Sequence, residues 1–343
     1  MSLRAAPGIS LAAKVARLCT PQAYPEHPGQ VTPIETHMSW VFLAGSLAYK
    51  LKKPVRYDYL DFTTLAGRAH FCREEVRLNQ RLAPDVYLGV APLALTPGGE
   101  LRVEAPGEPV EWLVKMRRLD ARLMLDRQIA AGTLDAAALH RAAGWLVQFF
   151  AEAPPAVQDA PAWRAQLADA VRQDRETLAD PVYGLPAGTV KAVHDVLAGL
   201  LAGSPALFDA RVAAGRVVEG HGDLRPEHVC LQDPPVIFDR LEFNRRFRIA
   251  DAADELAALA MECERLGAPA VGEVLFTVYG ERTGDAPAPE LRAFYGAHRA
   301  CVRARLAVQH IHELAPEAWP KWLALAADYL ALAEKHTRVA GRG

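Results

Sequence analysis

The residues best able to do chemistry lie in one polar stretch, His221-Gly222-Asp223-Leu224-Arg225-Pro226-Glu227-His228, followed by Ile237-Phe238-Asp239. Asp223, His228 and Asp239 converge if the segment between them folds back as a hairpin. Two carboxylates beside an imidazole are costly to assemble unless a cation or protons offset the like charges. A divalent metal carrying a polyphosphate supplies that compensation. Taken alone, a His-Gly-Asp tripeptide is a weak signal, and an acid that follows a strand is more often a turn former or a helix cap.

A second set strengthens the reading. Lys50 lies in the strand-like Tyr49-Lys50-Leu51-Lys52-Lys53-Pro54, and the helical segment after it carries Arg73-Glu74-Glu75-Val76. In kinases a strand lysine paired with a helix glutamate holds the α- and β-phosphates of ATP. The lysine is a mobile point charge, and the glutamate orients it. Lysine, glutamate, linking strand, loop aspartate and second aspartate follow one another in kinase order. That conjunction is far more specific than any member.

The elements that must position these residues change character near residue 120. Before it, Trp40–Leu43 and Leu47–Leu51 read as strands joined by a tight turn at Ala44-Gly45-Ser46, because glycine tolerates positive φ. Val110–Met116 alternates like another strand. One helix, about Thr64 to Leu82, presents Phe71, Cys72, Val76, Leu78 and Leu82 as its apolar side and stops at Pro84. After residue 120 helical periodicity dominates. Segments around Leu139–Phe149, Trp163–Leu178, Gly188–Leu201, Asp251–Leu266, Gly272–Arg282, Glu290–Glu313 and Pro320–Arg338 read as helices. Within them sits a non-helical island, Val217–Phe243, with His228–Leu231 and Val236–Phe238 as a short hairpin. The expectation is an α+β protein. A small antiparallel sheet lobe with one helix, residues 1–116, precedes a larger, mainly helical lobe, residues 117–343, and a ligand cleft is expected between unlike lobes.

Composition narrows the functions. The chain has 343 residues with 39 Lys+Arg and 41 Asp+Glu, a formal charge of −2, which argues against a general nucleic-acid binder. Apolar residues make up 51% and charged residues 23%, so a packed core rather than disorder is expected. Five scattered cysteines without a C-x-x-C argue against a disulfide framework or a cysteine zinc site. The longest uncharged stretch, Thr36–Tyr49, is shorter than the ~20 residues of a spanning helix, and no export signal is visible. A cytoplasmic protein with no membrane partner is the expectation.

The motifs resemble a known family. His221-Gly222-Asp223 with Phe238-Asp239 is similar to the aminoglycoside phosphotransferase-like branch of the protein-kinase-like fold. Four further stretches resemble a bacterial subgroup in which this unit is often fused to a P-loop ATPase domain. These are Thr36–Leu43, Tyr49–Pro54, Glu75-Val76-Arg77-Leu78-Asn79, and Leu82-Ala83-Pro84 with Tyr87-Leu88-Gly89. The resemblance covers roughly residues 30 to 260. It implies a two-lobed kinase-like fold and ATP-dependent phosphorylation of a hydroxyl on a small molecule. Asp223 is then the catalytic base, and Asp239 with His228 the metal ligands. Lys50 contacts the α/β-phosphates, oriented by Glu75, with Glu74 as the neighbouring alternative. Met116, Arg117, Arg118 and Leu119 form the hinge against adenine. His221 supports the loop, and Asp254 braces it from a helix start.

The chain departs from the family pattern in three places. His228 stands where kinases place asparagine, and imidazole, a softer ligand than an amide oxygen, suits Mn²⁺ or Zn²⁺ better than Mg²⁺; the family's metal is Mg²⁺, with Mn²⁺ as the variant. No G-x-G-x-x-G precedes Lys50, which leaves phosphate cover to another loop such as Thr36–Ser39. No Gly-Lys dipeptide occurs, so this sequence contains no P-loop. Arg240, Glu242 and Asn244 are candidate acceptor contacts, because they follow Asp239 directly. Arg245, Arg246 and Arg248, like Arg240, read as surface by default, with substrate contact as the alternative. The run Lys52, Lys53 and Arg56 also reads as surface, since charge runs usually mark solvated faces, with a phosphate or anionic-substrate contact as the alternative. Trp145, Trp163, Trp319 and Trp322 sit at apolar helical positions and read as core. Two other functions fit parts of the pattern. One is a nucleotide-binding module without turnover. The other is a metal-dependent phosphoesterase using His221, Asp223, His228 and Asp239, which leaves Lys50 and Glu75 without a role. The acceptor and the oligomeric state are not encoded in any motif.

Overall fold

The chain enters through a short helix, α1 (Leu11–Leu18), whose first turn is capped by the Ser10 hydroxyl accepting from the Ala13 amide. Strands β1 (Val31–Glu35), β2 (Ser39–Ala44) and β3 (Leu47–Lys52) then run antiparallel. The β2–β3 turn is tight because Gly45 adopts φ +62°, a left-handed conformation that glycine takes without a Cβ clash. A two-rung hairpin, β4 (Arg56–Tyr57) and β5 (Leu60–Asp61), leads into α2 (Leu65–Asn79). The Thr64 hydroxyl caps α2 by accepting from the Gly67 amide at 3.0 Å. Strands β6 (Tyr87–Leu95), β7 (Leu101–Val103) and β8 (Glu108–Arg117) complete a six-stranded sheet in the order β1-β2-β3-β8-β6-β7. The computed structural model describes residues 9–340.

Two faces of this sheet do different work. Cross-strand partners share a face. Val41, Lys50 and Val114 therefore lie on one side with Leu43, Ala48 and Met116. On the other side Phe42, Tyr49, Leu51 and Leu113 bury against Leu18 and Tyr24. Helix α2 packs against β8 and β6. Three strands escape alternation in the sequence for local reasons. β1 is an edge strand that tolerates Pro33, and β6 carries Pro92 and two register shifts, at Tyr87/Gly89 and Leu93/Ala94. β7 is three residues long, too short to alternate visibly.

The remaining chain is mainly helical. It comprises α3 (Leu125–Ala131), α4 (Ala136–Glu152), α5 (Ala160–Leu178), α6 (Ala187–Gly203), α7 (Pro205–Ala213), α8 (Ala252–Arg265), α9 (Ala270–Thr283), α10 (Pro289–His310) and α11 (Trp319–Ala340). Four short strands interrupt it, β9 (Val217–Glu219), β10 (Val229–Cys230), β11 (Val236–Ile237) and β12 (Ile249–Asp251), paired as β9–β12 and β10–β11. The helical core gathers Trp163, Leu197, Phe208, Phe294, Tyr295 and Leu330, with Trp319 and Trp322 partly buried against it. Asp251 starts α8 by accepting from the Ala253 amide, and the fork of Arg211 grips both its oxygens at 2.7 and 2.9 Å.

The chain is thus an α+β protein with an antiparallel sheet followed by a larger helical part. By packing it divides into two units. One is the stretch up to Ala121 together with Ile237–Arg245, and the other is Arg122–Val236 together with the chain from Arg246 onward. No single helix among the described residues is long and apolar enough to cross a membrane.

Candidate functional site

The first unit carries a chain of alternating charges built on β3. Because side chains alternate along a strand, Lys50 and Lys52 emerge on the same face. Glu75, on α2, is fully buried and meets both: Lys50 Nζ donates to its Oε1 at 2.9 Å and Lys52 Nζ to its Oε2 at 2.5 Å. Lys50 Nζ also donates to Asp239 Oδ1 at 2.6 Å, and Lys52 to Glu242. The glutamate that meets Lys50 is therefore Glu75. Its neighbour Glu74, about 100° further round the helix, pairs with Arg77.

The charges hold one another. Burial alone would pull Lys50 down, but Asp239, Glu75 and Glu242 outweigh it and hold the ammonium well above its ordinary value. Burial pushes Glu75 up, and Lys50 with Lys52 more than reverse it. Burial leaves Glu242 above the usual carboxylate range, despite Lys52 beside it.

Asp239 is held by its backbone. Its amide donates to the Tyr87 hydroxyl at 3.1 Å, and it adopts φ +62°, a region that aspartate tolerates better than most residues. One residue later, Asn79 clamps the main chain: its amide nitrogen donates to the Arg240 carbonyl and its oxygen accepts from the Arg240 amide, at 3.1 and 2.7 Å. Glu75 and Asn79 are four apart on α2 and share a face. That spacing is the signal by which sequence reasoning could have found Asn79.

Three expectations for this unit are corrected. Lys52 is not on a solvated strand end; it is 1% exposed, because period two places it beside Lys50. Glu242 is not an acceptor contact but the buried partner of Lys52. Arg240 is not an acceptor contact either: it is 1% exposed, with its backbone latched to Asn79. Asn244 is half-buried on the same segment. In the hinge, Met116 is buried on β8, the Arg117 amide donates to Val86 O and the Arg118 amide to Ser46 O, at 2.8 and 2.9 Å. Those two amides are engaged within the unit and are not presented to a base. A depression of about 390 Å³ lies beside them, lined by Leu43, Ser46, Arg118, Leu119, Asp120 and Ala121.

The second unit carries the loop between β9 and β10. Glu255, on the first turn of α8, accepts from the His221 and Gly222 amides, each at 2.6 Å. Gly220 makes room for this, since a Cβ there would lie 2.6 Å from Glu255 Oε2. The brace of the loop is therefore Glu255, not Asp254. One helical step turns Asp254 toward Arg299, whose fork it accepts at 2.8 and 2.5 Å. His221 Nδ1 accepts from the Asp223 amide at 3.3 Å, and His228 Nδ1 meets the Asp223 carbonyl at 2.8 Å. A carbonyl only accepts, so His228 Nδ1 carries a proton. Burial raises the Asp223 carboxyl, but His228, Arg225, Arg303 and His221 outweigh it and hold it below the usual range. Arg303 reaches Asp223 from α10 at 3.7 Å and Glu262 at 2.9 Å, and no sequence pattern marked it. Arg248 is also corrected: it is buried and pairs with Glu219 at 2.8 Å.

No family model matches the chain. It is 33% identical over 307 residues to the uncharacterized protein Rv2004c of Mycobacterium tuberculosis, and equally to the uncharacterized protein Mb2027c of Mycobacterium bovis. The match takes in 88% of this chain and spans 59% of the length of either relative. Among solved structures, a choline/ethanolamine kinase family protein from Mesorhizobium loti aligns over 95% of this chain and all of its own, at 15% identity and a TM-score of 0.49. A thermostable mutant of aminoglycoside phosphotransferase APH(4)-Ia, in its apo form, aligns over 92% of this chain and 97% of its own, at 12% identity and a TM-score of 0.51. The chain has the aminoglycoside phosphotransferase fold. Within that fold the sheet unit carries Lys50, Glu75 and Asp239 together, and the helical unit carries His221, Asp223 and His228 on one loop.

Proposed function

We propose that the protein transfers the γ-phosphoryl group of ATP to a hydroxyl of a small molecule. The observation that carries this reading is the ammonium of Lys50 held between Glu75 and Asp239, at 2.9 and 2.6 Å, in a chain with a phosphotransferase fold. Lys50 binds the α- and β-phosphates, and Glu75 fixes its direction. The depression beside Leu119 takes the base. Asp223 is ionised at neutral pH by its cationic neighbours, so it can accept the proton of an acceptor hydroxyl and aim its oxygen. Arg303 and Arg225 keep that carboxylate in place. Asn244 contacts the acceptor.

Each unit offers a donor of the kind that a divalent cation, Mg²⁺ or Mn²⁺, would take. In the sheet unit Asp239 is a carboxylate whose side chain is 40% exposed and whose backbone is anchored; in the helical unit His228 is an imidazole whose Nδ1 meets the Asp223 carbonyl. Such a cation would supply compensation for the phosphate charge when bound. The chain's own part is placement: in-line transfer needs orientation and charge compensation more than covalent chemistry.

The test is a thermal-shift titration of ATP, ADP and GTP with Mg²⁺ or Mn²⁺, followed by an ADP-release screen over sugars, amino alcohols, aminoglycosides and nucleosides. Stabilisation by a nucleotide–metal pair with acceptor-dependent ADP release is expected. No stabilisation by any pair refutes the reading. Binding without turnover across the screen makes the chain a nucleotide-binding module instead.

A further inference from the structure

The alternating series Asp239–Lys50–Glu75–Lys52–Glu242 contains one more lysine than phosphate binding requires. Lys52 cannot be a phosphate ligand, because it is 1% exposed, closed in by the two carboxylates and by the Phe62 ring 5.1 Å from its Nζ. An ammonium buried this deeply is costly unless its partners are well placed, and a well-packed apolar side chain would serve the fold at least as well. Its partners show what it does. Glu75 gives one oxygen to each lysine, so Lys52 keeps it compensated whatever Lys50 is doing. Glu242 lies three residues beyond Asp239 on a segment with no ladder to the six-stranded sheet. The pair with Lys52 ties that segment to β3 from one side, as Asn79 does at Arg240 from another.

We propose that Lys52 is a positioning residue of the nucleotide site. It fixes Glu75 by its second oxygen and, through Glu242, holds the Asp239 segment on β3, so that Lys50 can leave Asp239 for a triphosphate without the site coming apart. This rests on the phosphotransferase reading. It assigns to the second basic residue of the Lys50-Leu51-Lys52 stretch a role distinct from that of the first: Lys50 moves between partners, and Lys52 does not.

The experiment compares the full-length wild type with Lys52→Met, Lys52→Arg and Glu242→Gln. A fluorescent ADP analogue is titrated with and without Mg²⁺, circular dichroism checks folding, and kcat and KM for ATP are measured with any acceptor found. Lys52→Met is expected to fold and to lose about 10-fold or more in Mg²⁺-dependent affinity, with a smaller loss when metal is absent. Lys52→Arg restores affinity to within about 3-fold, and Glu242→Gln loses about 3- to 10-fold. A purely structural role lowers stability without changing the metal dependence. Folded Lys52→Met that binds like the wild type overturns the proposal. Should Lys52→Met fail to fold, Glu242→Gln decides: wild-type affinity there overturns it, and a metal-dependent loss supports it. A wild type that binds no nucleotide overturns the phosphotransferase reading and this role with it. A wild type that binds, beside unaffected variants, overturns this role alone.

Discussion

The two halves of the candidate machinery are held by opposite means. In the sheet unit, Lys50, Lys52, Glu75, Asp239 and Glu242 hold one another side chain to side chain, in a run of opposite charges around a glutamate with no exposed surface. In the helical unit, the Asp223 loop is held by its backbone. Its amides donate to Glu255, and its imidazoles meet its own peptide groups. A charge chain tolerates the departure of one member while the rest remain paired, which suits the exchange of partners proposed for Lys50. A backbone clamp fixes a loop through its main chain, which suits the acceptor-facing role proposed for Asp223.

The comparison can be broken at several strengths. The largest effect is expected at Asp223. Asp223→Ala should lower ADP release by ~10²–10⁴-fold while nucleotide affinity stays within about 3-fold of wild type. Equal losses in both would put Asp223 among the phosphate-binding groups. Next is Glu75→Ala, which leaves two buried ammonium groups on one strand and should destabilise by ~3–5 kcal/mol in urea unfolding. Glu255→Ala removes the carboxylate that accepts from the His221 and Gly222 amides. It should cost ~2–4 kcal/mol and reduce turnover more than nucleotide affinity.

The pH dependence of the helical unit follows. Burial lowers His298 to about 4, whereas an unfolded histidine titrates near 6.5. The unfolded chain therefore binds the proton first as pH falls. Stability from this group is complete above about pH 6.5 and is lost on the way down to about 4, roughly 2 kcal/mol of it by pH 5. Urea midpoints at pH 7 and pH 5 should differ by less in His298→Gln, and an unchanged difference refutes the assignment. The smallest effect belongs to Glu74→Ala, one residue from Glu75 but paired with Arg77 at the helix surface, at under ~0.5 kcal/mol.

Much of the fold was legible. The β2–β3 hairpin, α2 and the long helices follow from periodicity that local propensity does not contradict. β1 and β6 were not legible, because edge proline and bulges break the alternation that marks a strand. Lys50, Glu75, Asp223 and Asp239 could be picked out as candidates by type and order, since few residue combinations suit phosphate charge. Their surroundings could not. A basic run reads the same whether it meets water or, as at Lys52, two buried carboxylates from distant stretches.

By itself the sequence determined the α+β order of elements, the face of β3 on which both lysines stand, and which acids were candidates for chemistry. Those properties are local: the period of a strand or helix and the charge of a side chain do not depend on distant residues. Only the tertiary structure decided that Glu75 rather than Glu74 meets Lys50, that Glu255 rather than Asp254 clamps the loop, and that Ile237–Arg245 packs with the sheet unit. Each choice turns on one residue's step around a helix, or on where a chain returns after more than a hundred residues. Packing and the desolvation of charge settle such questions, and neither acts until the chain is folded.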